Sequence, residues 1–585
     1  MKTFFGSIYH TLFGVSKAHI AIYVLAVLSL LVLGLWHTQI KGDAKRLKQW
    51  RIASIIPAIL ALIHFVIVVV VGKNDLAGFI PVYALAVFAL IAALFGKRKI
   101  GYRIFSFITA CATVVSFFAF ILFSSPYSYD FSDKSYTESF HLMAQAMDKT
   151  YVLKEWKDVD FKALEDKYMP MVEEAEREEN PAKFSDAVKM FANELHDGHV
   201  HVGTDYDEDK YPSVFKNNEY GLCMVKLDND EVIAVNTLPE VKALGIEDGT
   251  VITKWNGKPV DVAAEQDVPD MGVPVKENAE FMSYMHLSTY GDENVEVSYI
   301  DKEGNEKTVT LNNLGKSTIF AETLSTYIHV PNVSSMEEAR PWFEENFKTK
   351  MLTEDVGYLR LNYETLSMAS VPCVKDMVGF WTGDHKAARE IFRKGLKDLK
   401  AQGMKYLVID LRGNMGGYDE IGCALASLLT DDYYFGQGLG IRKNGKYIDV
   451  SPDHAVHGTG EFADIQAVAL TNLQCVSAGD GTSLYLSKLP NVTLAGITDP
   501  NGSNQETGGS CVLSGGIAEV SYPVGLIMNE NDEPNIDVKA DRISRNPVEV
   551  HIPFDKDAAM KMFSDGEDYE LNWAIDYLTG ANYEK

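Results

Sequence analysis

Three short stretches of the 585-residue chain combine side chains and backbone in ways that support chemistry. The first is Leu195-His-Asp-Gly-His-Val-His201, in which His199 and His201 share a strand-like spacing and His196 lies three residues before His199. Histidine titrates near neutral pH, so a positioned imidazole serves as a general base without special tuning. Three histidines in one turn also suit a metal, but no HExxH pattern accompanies them, and a solvated turn would account for them as well. The second stretch is Asp410-Leu-Arg-Gly-Asn-Met-Gly-Gly417. A glycine-rich turn between strand and helix exposes backbone N–H groups that can hold an anion or an oxyanion. It lacks GxGxxG spacing and no GKS or GKT follows, which argues against a nucleotide. The third is Cys475-Val-Ser-Ala-Gly-Asp480. Ser477 would sit at a helix N-terminus, where it acts either as a nucleophile or as an ordinary N-cap. The spacing is not GxSxG, so this is not an α/β-hydrolase elbow.

The surrounding periodicity predicts the elements that position these turns. From Val356 onward, strands and helices alternate. Strands are expected at Val356–Asn362, Lys405–Leu411, Ala467–Asn472 and Val492–Ile497, and helices at Asp384–Gln402, Asp419–Leu429 and Gly479–Lys488. That order makes an α/β layer with a buried sheet, whose sites lie where strands end and helices begin. Between Ser139 and Glu194 apolar residues recur at helical spacing, as in Phe184, Val188, Phe191 and Leu195, which predicts a helical cap. Residues 219–312 change to short strand-like runs: Val232–Val235, Thr250–Trp255 and Val295–Ile300. The segment Ala243 to Gly257 resembles part of a PDZ domain, a module that binds extended chain termini by strand addition; an unrelated small β domain would also fit.

Charge and hydropathy divide the chain. Residues 1–125 hold 12 Lys/Arg and 2 Asp/Glu, whereas the remainder holds 42 and 79. An acidic body excludes phosphate-backbone binding, so no nucleic-acid partner is expected. Four apolar runs, Ala18–Trp36, Ile52–Val71, Leu76–Phe95 and Ile104–Phe123, contain no Asp, Glu, Lys or Arg. Each is about 20 residues, the length a helix needs to cross hydrocarbon. Basic loops follow the first and third runs. By the positive-inside rule they lie in the cytoplasm and the C-terminal body outside. The expectation is therefore a multi-pass cell-membrane protein with the lipid bilayer as partner and an extracytoplasmic catalytic part. His64 lies within a span without a charged partner and reads as a packing residue. The six cysteines show no CxxC or zinc-ribbon pattern; buried residues are expected, with room for one disulfide.

Taken together, Asp197-Gly-His199, the PDZ-like insert, the 410–417 run and Ser477-Ala-Gly-Asp480 follow the order found in C-terminal processing (tail-specific) peptidases and the tricorn protease core, which this chain resembles over about 139–555. The resemblance implies a multidomain protein. After an N-terminal transmembrane α-helical bundle (1–125) come a linker and helical cap carrying the histidine (126–215), a PDZ-like domain (216–315) and an α/β core of the ClpP/crotonase kind (316–585). It also implies a serine endopeptidase acting on peptides or proteins through an acyl-enzyme, with Ser477 as nucleophile, His199 as base, and Gly416, Gly417 and Ala478 as oxyanion donors, with no cofactor or metal. Some members use a lysine about two dozen residues after the serine; here that neighbourhood, Asp499-Pro-Asn-Gly-Ser-Asn504, has none, and Lys488 is too close. Two departures stand out. Gly198 replaces the serine that precedes the histidine in the tricorn-like pattern. The acidic member aligns loosely with Asp541, with Glu549 and Asp537 as alternatives. Two other readings stay open: a non-catalytic ligand- or peptide-binding domain of the same fold, and a sensor or transporter in which the apolar runs do the work.

Overall fold

The computed structural model describes residues 43–53, 56, 59 and 127–580, except 372–374, 377, 380–384, 444–445, 450–453, 530 and 537–545. It begins with a short polar helix, α1 (Ala44–Ala53). Strand β1 (Tyr127–Asp130) leads into three cap helices, α2 (Tyr136–Thr150), α3 (Phe161–Arg177) and α4 (Pro181–Asn193), and then β2 (His201–Thr204). Side chains cap all three helices: Ser135, Asp160 and Asn180 accept N–H groups from their first turns, as N-cap residues do.

A small β module follows. It contains β3 (Cys223–Lys226), β4 (Val232–Val235), β5 (Ile252–Trp255), β6 (Lys258–Pro259), helices α5 (Val260–Gln266) and α6 (Lys276–Leu287), and strands β7 (Asn294–Ile300) and β8 (Glu306–Asn312). Its sheets pair β3 with β4 and order the rest β6-β5-β7-β8. Helix α7 (Ile319–Ile328) then leads to the core.

The core contains β9 (Thr349–Met351), β10 (Val356–Arg360), α8 (Lys386–Ala401), β11 (Tyr406–Asp410) and α9 (Asp419–Leu429). A ribbon of β12 (Tyr433–Lys443), β13 (Lys446–Asp449) and β14 (His454–His457) precedes β15 (Gln466–Leu470), α10 (Ala478–Ser487) and β16 (Val492–Gly496). The chain closes with β17 (Gln505–Val512), β18 (Ala518–Met528), β19 (Val550–His551), α11 (Lys556–Phe563) and α12 (Tyr569–Thr579).

Six strands form the central sheet, ordered β19-β16-β15-β11-β10-β9 and parallel except for β9. Side chains alternate across it, as the two-residue period of a strand requires. Leu407 and Ile409 face a core shared with α8, α9 and α10, while Val408 and Val468 face a second core shared with α11 and α12. A second sheet, ordered β1-β17-β18-β12-β13, also carries β2 on β18, and the cap helices pack against it through Phe140, Phe184, Phe191, Val520 and Tyr522. The strand and helix boundaries expected from periodicity agree with the observed elements to within two residues throughout the core.

The membrane expectation is overturned. Among the described residues no helix is long and apolar enough to cross a membrane. The longest described helix, Phe161–Arg177, has 17 residues and carries charges throughout, short of the ~20 apolar residues a span needs. This corrects the transmembrane α-helical bundle, the multi-pass placement, the extracytoplasmic assignment and the lipid bilayer as partner. Ala18–Trp36, Leu76–Phe95, Ile104–Phe123 and nearly all of Ile52–Val71 lie outside the described residues. Cys223, Cys423, Cys475 and Cys511 are buried, and no disulfide joins any two of them.

One buried ionic network fixes the end of β11. The Arg412 side chain is fully buried and pairs with Asp410 at 2.8 Å, Asp568 at 2.6 Å and Glu570 at 3.2 Å. Arg360 pairs with Asp410 at 2.6 Å. The two guanidinium groups hold the Asp410 carboxyl well below its ordinary range despite its burial. Replacing Arg412 with Leu leaves the buried Glu570 without its cation and Asp410 with only one. We expect a loss of about 3–5 kcal/mol, read by chemical denaturation.

Candidate active site

Strands β11 and β15 run parallel and in register, with Asp410 opposite Leu470. The turns that leave them therefore begin at the same level and on the same edge of the sheet. Hydrogen bonds stitch them together: Gly413 N–H donates to Asn472 Oδ1 at 3.1 Å, and Val476 N–H to the Asn414 carbonyl at 2.9 Å. Gly416 has φ 79° and lies against Ser477; a Cβ there would sit 2.5 Å from the Ser477 Cβ and 2.9 Å from the Ala478 nitrogen. Glycine is the residue this contact allows.

Ser477 itself has φ 61° and ψ −130°, a conformation that non-glycine residues rarely adopt. It occupies the N-cap position of α10, but its side chain caps nothing. The N-cap explanation available from sequence therefore fails: the hydroxyl accepts no N–H from the helix it precedes. Tertiary contacts hold the strained backbone. Ser477 N–H donates to the Ser503 carbonyl at 2.8 Å, and Gly481 N–H to the Ser477 carbonyl at 3.1 Å.

Of the expected oxyanion donors, Gly416 N–H is already given to Asn414 Oδ1 at 2.8 Å. The N–H groups of Gly417 and Ala478 meet no acceptor among the described residues. Asn414 is in turn locked by its Nδ2 donating to Glu364 Oε1 at 3.2 Å, an oxygen that also accepts from Thr482 at 2.7 Å. Burial raises the Glu364 pKa well above the usual carboxylate range, against the pull of those two donors.

The turn after α4 brings His199 to the same place. Strand β2 pairs with β18 and β18 with β17, which sets the 195–200 turn beside the loop that enters β17. His199 is buried at 6 % exposure, and its Nδ1 lies 3.0 Å from Ser503 Oγ. Ser477 and His199 thus meet at one residue, Ser503, the first through backbone and the second through the side chain. Burial pulls the His199 pKa below 6.5; the Asp197 carboxylate opposes this and His201 adds to it. His201 is exposed on β2, and His196 turns away to Asp270, with its Nε2 2.6 Å from Oδ2. Among the described residues no cluster of His, Cys, Asp and Glu is arranged to hold a metal. Lys488 caps the far end of α10.

Asp541 and Asp537 lie outside the described residues. Glu549 is exposed at the sheet edge, where its carboxylate accepts Leu494 N–H at 3.3 Å. Residues not singled out from sequence take part instead. Asp480, fully buried, accepts Gly502 N–H at 2.5 Å and Ser503 N–H at 3.0 Å, tying the 502–503 loop to α10. Burial pushes its pKa up to about 7, against those donors and Asn546.

Residues 355–535 match peptidase family S41. The domain is that of a serine-type peptidase, and its substrates are peptides or proteins. No curated protein is significantly similar to the chain. Among solved structures, mature CPAF matches at 13 % identity and a TM-score of 0.51, covering 77 % of this chain and 98 % of that one. The photosystem II D1 C-terminal processing protease matches at 18 % identity and 0.31, covering 71 % and 92 %. The tricorn protease matches at 16 % identity and 0.32, covering 76 % of this chain and 37 % of that one. The similarity to CPAF is one of fold.

The backbone at Ser477 yields a stability prediction. Glycine adopts the Ser477 conformation without strain, whereas alanine keeps the strain. Ser477→Gly is expected to be more stable than Ser477→Ala by about 1 kcal/mol, the strain less the entropy glycine adds to the unfolded chain. Thermal unfolding of the two variants checks this.

Proposed function

We propose that the chain is an endopeptidase that cleaves polypeptides through an acyl-enzyme on Ser477, with His199 as the base. The observation that carries the reading is Ser477 itself. It is a non-glycine residue held at φ 61° at the start of a helix and packed against Gly416, and among the described residues its hydroxyl and the N–H groups of Gly417 and Ala478 have no hydrogen-bond partner. Such a turn exposes a nucleophile and places two donors where a tetrahedral oxyanion would develop. The proposed steps are these. His199 removes the hydroxyl proton as Ser477 Oγ attacks the scissile carbonyl. The negative charge moves onto the carbonyl oxygen, between the Gly417 and Ala478 N–H groups. The imidazolium returns the proton to the leaving amine, and water repeats the sequence to release the acid.

Ser477 Oγ and His199 share no direct hydrogen bond; catalytic hydrogen bonds of this kind commonly tighten only when substrate binds. The acidic member of the pattern is proposed as Asp541. Substituting Ser477 with Ala should abolish both fluorophosphonate labelling and hydrolysis of fluorescent casein. Undiminished hydrolysis by the purified variant would overturn the assignment. A folded wild-type protein inert to the probe would favour a binding domain instead.

The pH dependence has a defined sign. The active base is neutral imidazole, and burial holds the folded-state pKa below 6.5. His199 therefore stays neutral to lower pH than an exposed histidine. The acid limb of kcat/KM should have its midpoint below pH 6.5. Stability linked to this residue is present above the unfolded value and lost as pH falls, because the unfolded chain takes up the proton first.

A further inference from the structure

The geometry points to Ser503 and Asp197 as the pair that orients His199, a hydroxyl from one end of the chain and a carboxylate from the other; this rests on His199 being the base proposed above. Ser503 Oγ lies 3.0 Å from His199 Nδ1 and 3.2 Å from Asp197 Oδ1. All three residues are buried, Ser503 completely and Asp197 at 4 % exposure. The Asp197 carboxylate is fixed independently of the ring: its Oδ2 accepts from the Tyr151 hydroxyl at 2.8 Å and its Oδ1 from the His199 backbone N–H at 2.9 Å. Ser503 is fixed too, its backbone N–H on Asp480 and its carbonyl on the Ser477 N–H.

The hydrogen-bond inventory decides the tautomer. A hydroxyl has one proton and two lone pairs. With Asp197 as acceptor of the Ser503 proton, Nδ1 must donate to Ser503 Oγ, which leaves the Nε2 lone pair to take the Ser477 proton. No proton passes along this chain. The hydroxyl transmits the carboxylate's potential to an imidazolium that forms two hydrogen bonds away. Gln505 Oε1 also lies 2.7 Å from Ser503 Oγ. It is a second acceptor for the Ser503 proton, the Gln505 amide nitrogen donating to the Ile536 carbonyl at 3.5 Å; with either acceptor the Ser503 proton points away from the ring and Nδ1 is the donor.

Position 198 cannot itself supply such a hydroxyl. A Cβ at position 198 would lie 2.1 Å from Asn501 Oδ1 and 3.0 Å from the Ser503 Cβ. The space a side chain at 198 would occupy is filled by the 501–503 loop.

The test uses the full chain, a fluorophosphonate probe and two variants. In Ser503→Ala the backbone contacts of residue 503 persist, and Asp197→Asn is isosteric, so each carries the test if the other fails to fold. Both should label at Ser477 about 10²-fold more slowly than wild type at neutral pH, within what a positioned base contributes. The carboxylate raises the imidazole pKa, so Asp197→Asn should also move the acid limb of the labelling rate to lower pH. A merely structural contact would not move that limb. Wild-type rates with an unshifted limb in a folded variant overturn the orienting pair while leaving Ser477 and His199 in place. An unlabelled wild-type protein overturns both readings.

Discussion

The parallel pairing of β11 with β15 is the constraint on which the proposed site depends. Because Asp410 and Leu470 are in register, the two turns that follow must share the space above one sheet edge. They fit only by interlocking, with Gly416 against Ser477 and Gly479 against Asn414. The resulting contact leaves no room for a side chain at position 416 beside the positive-φ Ser477. The N–H groups of Gly417 and Ala478, the residues that follow these two in the chain, meet no acceptor among the described residues. The Arg412 network below the turn supplies rigidity: a fully buried guanidinium tied to the C-terminal helix keeps the end of β11 from fraying.

His199, the proposed base, comes from a different layer of the molecule. The cap helices are packed on the second sheet, and β2 joins that sheet as a strand of β18. Its position there, rather than any contact with the central sheet, places the 195–200 turn next to the loop after β16. Asp480 links that loop to α10, so the residue at the end of the Ser-Ala-Gly-Asp motif is a clamp on Ser503. The proposed nucleophile, oxyanion donors and base are thus contributed by three elements that meet at a single loop.

Much of this was legible in the sequence. The alternation from Val356 onward located the core strands and helices, since a buried parallel sheet writes its periodicity into short local windows. Ser477, His199 and the glycine turn were each visible as strand-to-helix or helix-to-strand junctions. The second sheet was not: β18 alternates apolar and polar residues over Ala518–Tyr522, but its pairing with β2 and β12, and that of β17 with β1, joins distant segments that no local window connects. The apolar runs of the first 125 residues gave the strongest local signal in the chain. The membrane bundle read from them is nevertheless set aside, because no described helix has both the length and the apolarity to span a bilayer.

The sequence by itself determined the residue types of the site and the turns that carry them, because glycine turns, helix starts and strand ends are encoded within a few residues. It also drew attention to 499–504, where the absence of a lysine turned the search for a base toward histidine. The same six residues contain Ser503, whose hydroxyl contacts Asp197 across a separation of 306 positions. Only the tertiary structure decided that contact, and with it the choice between Ser477 as helix cap and Ser477 as strained, uncommitted hydroxyl. The physical reason is that a hydrogen bond between residues so far apart, and a backbone angle held against its own preference, exist only once two sheets and a cap have closed around them.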